Sequence, residues 1–471
     1  MGISGNAVAG MAAVAALAIG VPYVIGLRTE AGFRDSIAQL ESQSPYPIKV
    51  AVYRRGLLSA EAETSVTIPL PPDAHDHDDG QPAEPPKTVQ LRLHHAISHG
   101  PRHDGLLRSA RLVTTPMLDA EQAAALQPLF GSEPPFTLIT DIGLFGAVHG
   151  SLRSPPVDTA SSASAAAPAP LQLQWAGIES RYSLAGGHLL LQLDAPGLKL
   201  SGAAGVQGSL GPIQMSADMN RIDDGPLWTG SSRLSLASAA FKAGDAPGFA
   251  LEALTIDSDT RTADQRMNSG ARFAAATLEL AGSRYRQLQL NLALDHLDAA
   301  AASELSLALN RYQQKNGADA AKADPAAMMA ELKPVLGRLV ASQPEFRVDE
   351  LSFAGPDGAL KLTGRLHYIG DANLDDFAPA RDLEGEARFE APLATFNTLM
   401  ATKLRGDLAA SAGVAASEVP PEVLASALQG NRESLLQQGV LLVDGDRVSS
   451  ALSFKSGVLS INGRTLGGGP H

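Results

Sequence analysis

Histidines are the residues of this chain whose spacing comes closest to a metal site. Four of them fall within ten residues: His94, His95, His99 and His103. On a helix, a spacing of four would put three imidazoles on one face, as in a zinc site. However, residues 88–97 alternate as a strand does, and Gly100 followed by proline would break a helix. On a strand, His95 and His99 would lie about 13 Å apart, too far to share a metal ion. We therefore expect surface or half-buried histidines beside a turn.

Two other segments resemble ligand-binding loops without meeting their requirements. Residues 69–87 place His75 and His77 among aspartates, but they lack the Gly and Glu spacing of a calcium loop. Residues 202–208 are glycine-rich, yet Pro212 follows where a phosphate loop would need a helix. The chain also lacks the G-x-S-x-G, H-E-x-x-H and Walker lysine motifs. The sequence therefore predicts no catalytic residue, no cofactor and no metal.

Composition excludes several functional classes. The 471 residues contain no cysteine, which removes disulfides, thiol catalysis and cysteine-based zinc sites. The net charge of −13 argues against nucleic acid and anionic lipid surfaces as partners, because both require basic patches.

Alternation of apolar and polar residues is the main secondary-structure signal. From residue 171 onward, segment after segment alternates with period two and ends at Gly, Asp or Pro, which is typical of antiparallel strands. Helices interrupt these strands near residues 299–310, 325–342 and 421–437. We predict an α+β fold: a single N-terminal transmembrane helix followed by a mainly antiparallel β-sheet domain with interspersed helices.

The pattern also divides the chain into regions. Residues 29–153 are predicted to be an α+β region with an acidic, proline-rich loop at 69–87, and residues 171–471 a β-rich region. Residues 154–170 are of low complexity and predict a linker or insertion between them.

The N-terminal segment predicts a membrane location. Residues 7–27 are apolar throughout, and as a helix they would be about 31 Å long, enough to cross a bilayer core. An uncleaved anchor is favoured, because the apolar run continues past the A-x-A site at residues 16–18 and no basic residue precedes it. A cleaved signal peptide and a buried helix stay open as alternatives. Since large domains are translocated largely regardless of charge, we expect the bulk of the chain in the periplasm.

Short motifs spread along the chain match those of a known family. The matching segments are residues 53–60 (YRRGLLSA), 99–101 (HGP), 142–146 (IGLFG), 175–178 (WAGI), 227–230 (LWTG), 294–299 (LDHLDA), 344–351 (PEFRVDEL) and 457–463 (GVLSING). In this order they resemble the YdgA family of Gram-negative bacteria, whose biochemical function is unknown. The resemblance implies a single-pass inner-membrane protein with a periplasmic domain, and it supplies no active-site residue. The long acidic loop and the low aromatic content depart from the family.

Two functional hypotheses follow, from different classes. The first is a non-enzymatic envelope protein that acts as a scaffold or binds an apolar ligand such as a lipid. The alternative is an envelope hydrolase whose active site forms only in three dimensions. The expected partners are the inner membrane through residues 7–27, a lipid or envelope protein, and a second copy in a homodimer, whereas nucleic acid is not expected.

Candidate residues come from the strands. Regular alternation from residue 171 to 294 requires a long apolar face, and we expect part of it to form an open groove. Leu190, Leu236 and Leu290 are the candidates for that groove. Tyr53 and Gly56 are predicted to set the turn and register of the first strand pair.

Overall fold

The part of the chain that the structure describes is mostly antiparallel β-sheet, with 55% of it in strands and few helices. The computed structural model describes residues 26–42, 44, 46–69, 88–100, 108–160, 172–202, 205–223, 225–244, 248–280, 282–316, 325–371 and 373–466.

The elements follow in chain order. The first part of the chain forms helix α1 (residues 26–42), β1 (Ile48–Arg55), β2 (Ser59–Pro69), β3 (Thr88–His99), β4 (Arg108–Met117), α2 (Ala120–Phe130), β5 (Thr137–Gly143), β6 (Val148–Ser154), β7 (Val157–Ala160), β8 (Gln172–Trp175), β9 (Ile178–Ala185), β10 (His188–Ala195), β11 (Leu198–Ser201), β12 (Gln207–Leu210) and β13 (Ile213–Arg221). The rest forms β14 (Trp228–Lys242), β15 (Phe249–Ala263), β16 (Arg266–Leu280), β17 (Ser283–Asp298), α3 (Ala299–Asn316), α4 (Pro325–Ala341), β18 (Glu345–Gly355), β19 (Gly358–Tyr368), α5 (Pro379–Asp382), β20 (Leu383–Pro392), α6 (Leu393–Ala412), α7 (Pro421–Gln437), β21 (Leu442–Asp444), β22 (Arg447–Lys455), β23 (Val458–Ile461) and β24 (Arg464–Leu466).

The chain divides into two compact units that interleave in sequence. Unit 1 comprises residues 1–203, 213–230 and 303–333, and unit 2 comprises residues 204–212, 231–302 and 334–471.

Unit 1 is built on an antiparallel meander. Strands β1 to β6, then β9, β10 and β13, each pair with the next. Strands β7, β8 and β11 form a separate three-stranded set. Helix α1 lies on one face of the meander, where Phe33 and Ile37 join a core with Ala62, Ile97 and Leu112. The helix thereby buries the apolar face at the β1 end of the sheet.

Unit 2 contains a second antiparallel sheet with longer strands. Strands β15 to β20 pair in order, β20 pairs with β22, and β22 continues to β23 and β24. Strand β21 also pairs with β22. Strand β12 pairs with β14. Helices α6 and α7 pack together through a small core that contains Ala409, Val419 and Leu424.

The predicted fold class and location need correction. No helix in the described part of the chain is long and apolar enough to cross a membrane. Helix α1, the one nearest to the predicted span, carries five charged residues: Arg28, Glu30, Arg34, Asp35 and Glu41. This finding overturns the predicted transmembrane helix, the α+β class that included it, and the single-pass inner-membrane location. The predicted span, residues 7–27, lies outside the described residues as far as residue 25.

Two predicted surface segments fall partly on described residues. Residues 70–87 of the acidic loop and residues 161–170 of the low-complexity segment lie outside the described part of the chain. Residues 157–160 form β7, which pairs with β8, and Val157 is buried. Strands β6 and β9, on either side of this segment, are neighbours in the meander.

Candidate functional site

The longest matched run of apolar side chains crosses the sheet of unit 2. Strand register makes the following residues successive partners from β15 to β20: Ile256, Phe273, Leu290, Leu351, Leu362 and Phe389. Directly paired residues of antiparallel strands point to the same face of the sheet. Six neighbouring strands therefore contribute one apolar side chain each to a single row.

Two further rows lie beside this one on the same face, since residues two apart in a strand point the same way. One row consists of Leu292, Val348, Gly364, Ala387 and Leu452, and the next of Leu294, Phe346, Leu366, Gly385 and Phe454. Register shifts in β17 and β18 preserve the match, because each strand continues to place apolar residues on this side. We call these three rows together the apolar face.

Helices α6 and α7 cover the neighbouring part of this side of the sheet. Leu360, Ala391 and Val448 lie next to the first row and are buried, with Phe396 of α6 and Leu435 of α7 packed against them. At the other margin of the apolar face the side chains meet solvent. Phe346 is 43% exposed and Leu366 is 47% exposed. The apolar face is therefore closed on one side and open on the other.

Two glycines make the open part of the apolar face shallow. Gly364 and Gly385 occupy positions where neighbouring strands place larger side chains. A Cβ at Gly385 would lie 3.4 Å from Cδ1 of Leu366, so the leucine side chain leans over this glycine. The exposed leucine and phenylalanine thus border a shallow strip of small residues.

The opposite side of the same sheet is charged. Arg347 lies 3.1 Å from Asp295, and Arg365 lies 3.6 Å from Glu386, while Glu345 contacts both arginines. The side chains of Arg365 and Glu386 are exposed, so this pair marks a surface that faces water, although such pairs contribute little stability. The sheet of unit 2 is therefore amphipathic, and its apolar side is the candidate binding surface.

The three candidate leucines occupy different places. Leu290 lies at the centre of the first row of the apolar face. Leu236 lies on β14 of the same unit and is half-buried. Leu190 lies in unit 1 and is exposed, and its partners Ser183 and Asp218 belong to the polar side of β10. A shift of one residue exchanges the two faces of a strand, which is why sequence alone did not distinguish Leu190 from its neighbours.

Unit 1 buries a polar group instead. His95 of β3 lies between two threonine hydroxyls, Thr64 on β2 and Thr114 on β4, each 2.8 Å from one ring nitrogen. In the neutral imidazole one nitrogen donates a proton and the other accepts one, so both can be satisfied by the two threonines. Phe33 of α1 packs edge-on against the imidazole, with ring centroids 5.3 Å apart. The helix thus seals the histidine from solvent.

This environment fixes the charge of the imidazole. Burial, together with a smaller contribution from the neighbouring His94, lowers the pKa of His95 to about 4. His95 is therefore neutral at pH 7. With both nitrogens held by threonines, it forms part of the core of the unit and is not poised for proton transfer.

The prediction of surface or half-buried histidines is wrong for two of the four. His95 and His99 are both buried, because both belong to the face that α1 covers. His99 packs so closely on α1 that a Cβ at Gly26 would lie 2.6 Å from its ring. His103 and the acidic loop with His75 and His77 lie outside the described residues. Among the residues that are described, no three His, Asp or Glu side chains are grouped as metal ligands.

The first turn lies between β1 and β2, and the structure changes one detail of it. The N–H of Gly56 donates to the carbonyl of Ser59 over 2.7 Å, closing the turn. Gly56 does not have the positive φ that the sequence led us to expect. The space beside Gly56 is nevertheless crowded, since a Cβ on this residue would lie 3.0 Å from the Ser59 carbonyl oxygen. Tyr53 is half-buried against Phe33, and burial raises the pKa of its hydroxyl.

The chain belongs to a bacterial family of proteins of unknown function, DUF945. The model of this family matches residues 6–467, nearly the whole chain. The match leaves the finer resemblance to the YdgA family unconfirmed. No curated protein and no solved structure matches the chain.

Proposed function

We propose that this protein is a non-enzymatic binding protein for apolar ligands, and that the ligand is the acyl chain of a lipid held on the apolar face of unit 2. One observation carries the proposal: Phe346 and Leu366 are exposed on the same face that α6 and α7 bury a few residues away. Large apolar side chains aligned in rows and open to water are typical of surfaces that bind an apolar partner.

The free energy of binding indicates how long the acyl chain of the ligand must be. Each methylene removed from water contributes about 0.8 kcal/mol. Association costs at least about 4 kcal/mol in lost translational and rotational freedom. A chain must therefore bury well over five methylenes before binding becomes measurable, which favours long acyl chains over short ones. A folded partner protein, as in a scaffold, would instead need a larger and flatter contact.

The test uses the full chain and dansyl-labelled undecanoic acid, whose fluorescence rises in apolar surroundings. Leu366→Glu puts a charge on the open margin of the apolar face and should abolish the rise. The matched control is Leu190→Glu on β10 of unit 1, because Leu190 is 44% exposed, close to the 47% of Leu366, and lies on the polar side of its strand. This control should bind the probe as the unchanged protein does.

Two results would contradict the proposal. The unchanged protein could fail to raise the fluorescence of the probe, or Leu366→Glu and Leu190→Glu could bind it equally well. Circular dichroism of both variants verifies that a loss of binding is not a loss of folding.

A further inference from the structure

Two hairpin turns of unit 1 present large apolar side chains to solvent. Between β5 and β6, Phe145 is fully exposed, and Leu144 beside it is also exposed. Between β1 and β2, Leu57 and Leu58 are exposed. Short backbone hydrogen bonds hold both turns, for example from the N–H of Gly143 to the carbonyl of Ala147 at 2.7 Å. The apolar side chains therefore project from closed, well-defined turns.

Strand register places the two turns at the same end of the meander. Ser59 pairs with Ser98, Ser98 with Arg111, and Arg111 with Asp141. The β1–β2 turn precedes Ser59, and the β5–β6 turn follows Asp141 by a few residues. Strands β2 and β5 are three strand spacings apart, about 14 Å. The two apolar tips thus project from one end of the sheet at separate points.

The described part of helix α1 starts at this same end. Its first described residue, Gly26, packs against the ring of His99, and the N–H of His99 donates to the carbonyl of Leu58 at 2.9 Å. An exposed apolar tip therefore lies beside the first described turn of α1.

The charge of the protein restricts what such tips could contact. A net charge of −13 opposes binding to an anionic surface. Arg54 and Arg55 lie just behind the first tip, and Arg55 is paired with Glu30. Long cationic side chains behind an apolar tip can keep their charge in a headgroup layer while the tip enters the apolar region. A neutral, zwitterionic lipid surface fits this arrangement.

We propose that unit 1 docks on the surface of a zwitterionic phospholipid bilayer through these two tips, residues 56–58 and 143–146. The proposal goes beyond ligand binding by unit 2 and requires no membrane-spanning helix. Separate single side chains that project from turns suit the soft interface of a bilayer, which accepts them at any spacing. A folded protein partner would instead need matched pockets about 14 Å apart.

The absence of cysteine from the chain makes a local test feasible. The variants Phe145→Cys, Leu58→Cys and Leu40→Cys each receive one environment-sensitive NBD label on the full-length protein. Leu40 is the matched control, because it is 54% exposed against 56% for Leu58. It lies fourteen residues along α1 from Gly26, about 21 Å towards the other end of the sheet.

On addition of phosphatidylcholine vesicles, the labels at positions 145 and 58 should shift to the blue and be quenched by doxyl-labelled lipid. The label at position 40 should not change. In protein labelled at position 58, the further change Phe145→Ser should lower the affinity for vesicles that the label reports about tenfold, since one large apolar side chain is lost. The further change Leu40→Ser should leave that affinity as it was.

Three outcomes would overturn the docking proposal. The fluorescence of the labels at positions 145 and 58 could be the same with vesicles as in buffer, even if the protein sediments with the vesicles. The label at position 40 could respond as strongly as the tip labels. The tip labels could also shift with protein concentration in the absence of lipid, which would assign the tips to contact with a second copy. None of these outcomes bears on the fatty-acid test of unit 2, which uses a dissolved probe and a different unit.

Discussion

The buried histidine of unit 1 should make the protein lose stability as the pH falls from about 6.5 to about 4. His95 has its pKa lowered to about 4 in the folded chain, whereas an unfolded chain leaves it near 6.5. Between these values the unfolded state binds the proton and the folded state does not, so protonation favours unfolding. A shift of about 2.5 units corresponds to roughly 3 kcal/mol, as an upper bound. The loss is absent above pH 6.5 and complete below pH 4.

The perturbation is the triple variant Thr64→Val, His95→Leu, Thr114→Val, which replaces the whole hydrogen-bonded group by apolar residues. Removing all partners together avoids leaving an unsatisfied buried hydroxyl, which would itself cost about 1–3 kcal/mol. Urea unfolding at pH 7 and at pH 4 gives the difference in unfolding free energy for each protein. The triple variant should lose roughly 3 kcal/mol less than the unchanged protein over this range.

A control separates this effect from general acid destabilisation. His149 of β6 is exposed in the same sheet, so His149→Leu should keep the pH dependence of the unchanged protein. The reasoning is refuted if the triple variant and the unchanged protein lose the same free energy between pH 7 and pH 4.

Three other substitutions test separate parts of the structure. Phe33→Ala should lower the unfolding free energy by about 3 kcal/mol in urea titration, because it opens a cavity between α1 and the sheet. Gly56→Val should lower the unfolding free energy by roughly 1–3 kcal/mol through overpacking at the first turn. The control Gly32→Ala should be neutral or stabilising, because a Cβ there would meet nothing within 4 Å. A neutral effect of Gly56→Val would show that the first turn is not crowded. Leu290→Glu should abolish binding of dansyl-labelled undecanoic acid and Leu190→Glu should not; equal binding by both would remove Leu290 from the site.

The β-rich character of the chain could be predicted from its sequence, and for a clear physical reason. Alternation with period two reports one buried and one exposed face in each strand, and turns such as Pro356-Asp357-Gly358 report where strands reverse. Strands β18 and β19 meet at this turn, with Gly355 paired to Gly358. These signals are local, so they predict strands and turns without knowledge of the tertiary structure.

Long-range pairing could not be predicted in this way. The burial of His95 depends on α1 covering the sheet and on two threonines from neighbouring strands, none of which is visible in the local pattern around the histidine. The apolar face likewise depends on the register of seven strands. An error of one residue exchanges the two sides of a strand, and Leu190 on β10 of unit 1 lies on the polar side. The apolar segment at residues 7–27 predicted a membrane span from composition alone, and the described helices contain none.

The most direct test of the central proposal is to map where an acyl chain contacts the protein. A fatty acid with a diazirine group on its chain is bound to the full-length protein and activated by light, and the modified peptides are identified by mass spectrometry. Acyl-chain binding on the apolar face predicts that modification concentrates on peptides that contain Phe346, Leu366 and Leu452. Modification confined to peptides of unit 1 would contradict it.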